Sequence, residues 1–297
     1  MNLNCFADKV QKNLERELGD GYRIILQDVE KNNGIILKGM TFVSKDSNVS
    51  PTIYLESFWK DYEEGTTFTD VLSHIKQLCI RETPVMNLDL SFFKRYETVK
   101  DRICLRLVNA ASNVKMLEKV PHIRFLDLAI CFYCNYSNEL LGNGTILIRN
   151  SHMELWEVSV NTLLEQAKIN TIKLNPIQCV PMMEILGEMI GVDTAPKEED
   201  DSYIPMLVVS NDKRSFGAAA MVFQDFWEKM SVRLGKGFYI LPSSIHELII
   251  LPDDTGVDPD YLKDMICEVN ATQVGPEDKL SDSLYFFDAV KKMVRIV

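Results

Sequence analysis

The run LPSSIHELIILP (241–252) gathers two hydroxyls, an imidazole and a carboxylate in the residues Ser243, Ser244, His246 and Glu247. These are the ingredients of a hydrolase, in which a serine attacks, a histidine takes its proton and an acid orients the histidine. That chemistry needs the base within about 3 Å of the nucleophile. Neighbours along an extended backbone splay to opposite faces, which sends His246 and Glu247 apart. In the competing reading the same residues form a bend, with Ser243 and Ser244 satisfying turn backbone groups after Pro242. Should the cluster be catalytic, Asp127 or His152 joins it from elsewhere in the fold.

Other reactive groups are sparser. Cys131 and Cys134 have redox or half-zinc spacing, but positions three apart on a strand face opposite sides, and no second CxxC or HxxxH completes four ligands. The spacing predicts buried structural thiols. The four histidines, His74, His122, His152 and His246, fall in neither HExxH nor HxH order, and a metal-dependent variant would recruit His122 or His152. GxSxG, GxxxxGK[ST] and GxGxxG are all missing, so nothing calls for a nucleotide cofactor or any other, and no metal ligands are assigned. LGKGF (234–238) reads as a helix end running into a strand, with Gly235 as the cap.

The elements that must position these groups are of both types. Leu3, Phe6, Ala7, Val10, Leu14 and Leu18 form one apolar helical face, closed by GDG. Two β-rich runs flank KNNG (31–34), where Asn33-Gly34 predicts a hairpin turn. Helices are expected at 55–62 and 68–79, the second capped by Thr67 or Thr69. Next come a turn of helix near 92–96, a strand at 103–107 and a short helix at 112–117. PHIRFLDLAICFYCNYS reads as a single long strand returning through an Asn143-Gly144 turn, with Asp127 in its middle needing a partner. Ser159 then caps a helix to 170. Later strands at 206–209, 238–241 and 248–251 alternate with helices at 222–234 and 261–269, and a hairpin (284–287, 293–297) ends the chain. Hairpin-length connections predict an α+β fold, mostly antiparallel, with helices packed on the sheets. The expected subdomains are 1–118 and 119–297, with a polar, acidic loop at 192–202.

Charge is lopsided. Of 32 Lys+Arg and 43 Asp+Glu, residues 1–150 hold 19 of each, so the whole net charge of -11 lies in residues 151–297. An acidic half repels phosphate backbones and argues against non-specific nucleic-acid binding. It favours a protein partner with a basic surface, steered by the field. No apolar run approaches the roughly 20 residues of a membrane span. The first residues lack an apolar signal core, and seven scattered cysteines suit a reducing compartment, so a cytoplasmic location is expected.

The runs GKGFYILPSSIHELIILPDD, MICEVNATQV, LSDSLY, VPHIRFLDLAICFY, GNGTILIRNSHMELW and NVSPTIYLE resemble an uncharacterised bacterial domain-of-unknown-function family, found mostly in anaerobic Gram-positive bacteria. The resemblance covers nearly the whole chain. It implies a bacterial cytosolic protein and carries no catalytic residue over. The sequence therefore leads to a non-catalytic intracellular binding or regulatory protein, with the Ser243/Ser244, His246 and Glu247 hydrolase as the alternative.

Overall fold

The structure is a computed structural model that describes residues 1–82, 89–138, 142–191 and 206–297. The chain is α+β with antiparallel sheets, and it divides into two compact units, Met1–Ser91 and Phe92–Val297.

In the first unit, helix α1 (Leu3–Leu18) buries Phe6, Ala7, Val10 and Leu14, the stripe its periodicity predicts. Its target is a three-stranded sheet of β1 (Tyr22–Glu30), β2 (Ile36–Ser44) and β3 (Thr52–Tyr54) in that order. Asn33 and Gly34 both have positive φ, 60° and 68°, so the β1–β2 connection uses the residues best able to hold that backbone. Helices α2 (Glu56–Glu63) and α3 (Phe68–Glu82) complete the core with Phe58, Val71, Leu72 and Ile75. Thr67 caps α3 through its Oγ1, 3.2 Å from the Asp70 N–H.

The second unit begins with α4 (Tyr96–Val99), then β4 (Ile103–Asn109), α5 (Val114–Leu117), β5 (His122–Phe125), β6 (Leu128–Asn138) and β7 (Gly142–Leu147). After α6 (Asn150–Trp156) and α7 (Val160–Leu174) come β8 (Ile177–Pro181), α8 (Met182–Ile190), β9 (Leu207–Asn211), α9 (Gln224–Leu234), β10 (Phe238–Pro242), β11 (Leu248–Pro252), α10 (Pro259–Thr272), β12 (Tyr285–Asp288) and β13 (Met293–Ile296). They make two sheets. One has the order β13-β12-β10-β11-β9-β8, and the other the order β4-β6-β5 with β7 also on β6. Leu105, Leu107, Ile130 and Phe132 of the smaller sheet share one core with Val209, Phe238, Ile240, Leu248 and Ile250 of the larger. Helix α10 closes the opposite face of the larger sheet through Leu262 and Ile266, packed with Leu241, Leu251 and Leu284.

Edge strand β4 is sealed by α7. Thr171 Oγ1 accepts the Leu105 N–H at 2.9 Å, and Asn170 Nδ2 donates to the Ile103 carbonyl at 2.8 Å, which satisfies backbone groups that an open edge would leave unpaired.

Three expectations are corrected. The 118/119 boundary falls between β4 and β6, which are paired over their whole overlap, so the division lies near 91 instead. The run 121–138 is two strands, because Leu126 adopts φ 55° and reverses the chain there; an apolar residue gives no turn signal in sequence. Asn143 and Gly144 stand in β7, opposite Ser137 and Tyr136, and residues 139–141 lie outside the described residues. The acidic loop 192–202 also lies outside them.

Asp127 therefore sits in a turn, where it latches the two sheets of the second unit together. Its carboxylate accepts from Ser281 Oγ at 2.6 Å, Ser283 Oγ at 3.0 Å and Tyr285 Oη at 2.7 Å. Tyr285 is fully buried, so removing the acceptor strands its hydroxyl away from water. Asp127→Ala should cost about 3 kcal/mol of unfolding free energy in urea denaturation. A loss below about 0.5 kcal/mol, the usual range for surface changes, would show that the latch is not structural.

Candidate functional site

Residues 243–247 form the connection between β10 and β11, whose strands are paired from Phe238–Pro252 to Pro242–Leu248. Inside it the polar groups separate into two pairs. Ser243 Oγ donates to Glu247 Oε1 at 3.2 Å, and Ser244 Oγ accepts the His246 backbone N–H at 3.0 Å. The His246 ring turns to other partners: Nδ1 accepts the Phe216 N–H at 3.2 Å, and Nε2 lies 3.3 Å from Asp278 Oδ1. A nitrogen that accepts carries no proton, so this network places the ring proton on Nε2, toward Asp278. The fold thus brings His246 to Asp278 and Ser243 to Glu247, and hydrogen-bonds neither serine hydroxyl to the imidazole. Asp127 is held in its own latch. His152 Nδ1 accepts the Arg149 N–H at 3.0 Å and its ring packs on Phe93 and Trp156, where burial and the Arg149 charge push its pKa down. His122 Nδ1 lies 3.1 Å from the Val120 carbonyl, and His74 packs on Phe58 in the first unit. Among the described residues, no three His, Cys, Asp or Glu side chains gather as a metal site.

The loop that meets His246, NDKRSFG (211–217), is held in an unusual shape. Asn211, buried at the end of β9, accepts the backbone N–H groups of Lys213 (3.1 Å) and Ser215 (3.3 Å) on Oδ1 and donates from Nδ2 to the Ser215 carbonyl (2.8 Å). Arg214 and Phe216 both adopt left-handed φ, 47° and 55°. Side-chain-bearing residues rarely do so, and the cost is supported by the surrounding contacts. Gly217 admits no side chain: an added Cβ would lie 2.4 Å from the His246 carbonyl oxygen and 2.5 Å from Ser210 Oγ.

This loop forms one wall of a cleft of about 540 Å³, lined also by Asp101, Arg102, the β6–β7 residues Asn135, Tyr136, Ser137, Gly144 and Thr145, and Leu174. Lys213 is anchored there by uncharged oxygens, donating to the Leu174 carbonyl at 3.0 Å and to Asn175 Oδ1 at 2.9 Å. Arg102 lies over the Phe92 ring, 5.3 Å from its centroid. Neither cation forms an ion pair with a described carboxylate. Asn175 also donates to Tyr133 Oη at 3.1 Å, and the Tyr133 ring packs on Phe216.

A third cation stands on the same face of the smaller sheet as Cys104, Cys131 and Tyr133. Arg106 lies under Phe216, 5.6 Å from the ring centroid, and its Nη2 is 3.6 Å from Met116 Sδ. Its Nε is sealed from solvent without a hydrogen-bond partner, and burial pushes the guanidinium pKa down. In sequence Arg106 shows only as a charge interrupting the apolar run 103–108. Lys213 falls between the strand expected at 206–209 and the helix expected at 222–234, in a stretch with no site motif, and Asp278 lies 32 residues from His246, beyond any local motif.

Cys131 and Cys134 point to opposite faces, one into a small cluster with Val108 and Leu117 and the other into the main core. Burial pushes Cys104, Cys131 and Cys134 from 9.0 up to about 11. A raised folded pKa gives stability that is whole below the unfolded value and disappears as pH rises through the folded one. The folded chain should therefore lose stability between about pH 9 and 11, and at neutral pH a thiol reagent should rapidly label only the exposed Cys5 and Cys267. Rapid labelling of Cys131 or Cys134 in the folded protein would contradict this burial.

Among the described residues no helix is long and apolar enough to cross a membrane. No curated protein and no solved structure matches the sequence. One family model does match, over residues 3–289, and the chain accordingly belongs to a family of unknown function, DUF5688.

Proposed function

We propose that the second unit is a non-catalytic binding module for a small anionic ligand, held in the cleft between the β6–β7 hairpin and loop 211–217. The observation that carries this reading is the pair Lys213 and Arg102, two cations on one cleft with no carboxylate partner among the described residues. Here Lys213 is held rigidly by neutral oxygens, so its charge is positioned before any ligand arrives. Arg106, buried behind Phe216, adds positive potential from within the sheet.

Binding is favoured over hydrolysis because both His246 ring nitrogens are engaged away from Ser243 and Ser244. A general base needs a free nitrogen within reach of its nucleophile. The acidic exterior of residues 151–297 is compatible with the cleft: it draws basic partners to the outside, while the unpaired cations act at short range inside.

The test is isothermal titration of inorganic phosphate and of citrate into the wild-type chain, Lys213→Ala and Arg102→Gln. At least one anion should bind wild type, weaken by about tenfold in each variant, and weaken further as salt rises. Binding that is indifferent to both substitutions would remove the cleft as the site. Hydrolase turnover abolished in His246→Ala would overturn the non-catalytic reading.

A further inference from the structure

The free groups of the cleft specify more than negative charge. No N–H of the Arg102 guanidinium has a hydrogen-bond acceptor among the described residues, and Lys213 keeps one of its three N–H bonds uncommitted. Ser137, Thr145 and Ser215 line the same cleft and bring three hydroxyls to its wall. That is a donor-rich wall, with more donors than the two oxygens of a carboxylate satisfy and a number suited to the three terminal oxygens of a phosphate.

Against these donors stands one acidic acceptor, Asp101. Its Oδ1 receives only a long contact from Gln166 Nε2, 3.4 Å, while Gln166 itself is braced 3.0 Å from Asn170 Oδ1. A carboxylate lining the same cleft, ion-paired to neither cation, would repel a bare anion. It makes sense in a site whose ligand also brings donors, because a carboxylate accepts well from neighbouring hydroxyl groups. Asn135 adds a second acceptor, since its Nδ2 is committed to Cys104 Sγ at 3.2 Å and its Oδ1 is left over. Tyr136 lines the cleft with its ring stacked on Phe92, centroids 5.8 Å apart at 18°.

From this arrangement we infer that the ligand is a phosphate monoester of a polyhydroxylated group, a sugar phosphate or a nucleotide. The phosphate lies toward Arg102, Lys213 and Ser215, and the hydroxyls face Asp101 and Asn135. The inference rests on the anion-binding reading above and narrows it to one chemistry. Tyr136 separates the two sources, because only a nucleotide brings a base to the ring.

The experiment is calorimetric titration of the full chain with ribose 5-phosphate, AMP, adenosine and inorganic phosphate, in wild type, Asp101→Asn, Lys213→Ala and Tyr136→Leu, each first shown to melt like wild type. At least one ester should bind at least about tenfold tighter than inorganic phosphate. Asp101→Asn should erase that advantage without weakening inorganic phosphate, Lys213→Ala should weaken all three phosphates, and adenosine should bind weakly. An AMP preference lost in Tyr136→Leu identifies a nucleotide; equal binding of AMP and ribose 5-phosphate identifies the sugar phosphate. Esters no tighter than inorganic phosphate, with phosphate still dependent on Lys213, would overturn this inference and leave anion binding standing. No phosphate binding of any kind would overturn this inference, and if citrate fails to bind as well, the anion-binding reading falls with it. Should Lys213→Ala melt early, Arg102→Gln makes the same comparison from the other cation.

Discussion

Lys213 donates to a backbone carbonyl and to an asparagine oxygen, and this choice of neutral over charged acceptors shapes the chemistry of the second unit. A carboxylate in the same place would neutralise the ammonium and leave an ordinary surface ion pair, worth about 0–1 kcal/mol. Neutral acceptors fix its position and leave its charge intact. The scaffold behind it follows. Asn211 ties the loop into shape, the left-handed Phe216 delivers its N–H to His246 and its ring to Tyr133 and Arg106, and Gly217 leaves room for the His246 carbonyl.

Behind that loop, the two sheets of the unit are fixed against each other. Three hydroxyls converge on Asp127 from the approach to β12 and its first residue, and α7 seals the edge of β4 with Asn170 and Thr171. The same helix ends at Leu174, whose carbonyl is one of the Lys213 acceptors, so the element that protects a strand edge also places a wall of the cleft. His246 belongs to this framework. Its ring spans from the Phe216 backbone to Asp278 and serves as a brace between two loops.

Much of the fold is written locally in the sequence. The α1 stripe, the Asn33-Gly34 turn, the Thr67 and Ser159 caps and the Gly235 helix end each use a residue whose own conformational or hydrogen-bonding preference decides the outcome. The opposed faces of Cys131 and Cys134 follow from strand alternation alone. What local reading misses is settled by distant contacts. Leu126 reverses the chain with no turn-forming side chain, β4 joins β6 across the expected boundary, and helices α6 and α8 and strand β8 carried no signal strong enough to be expected. The cleft was invisible for the same reason. Arg102, Asn135, Leu174 and Lys213 are scattered through the chain and no spacing rule links them.

The cleft's free positive charge is tested most directly by recording the ¹H–¹⁵N amide spectrum of the full chain while inorganic phosphate is added. Shifts concentrated at Asp101 and Arg102, Asn135 to Ser137, Gly144 and Thr145, and Lys213 to Ser215 are the result this account predicts. Saturating shifts confined to other parts of the chain, or none at all at low salt, would contradict it.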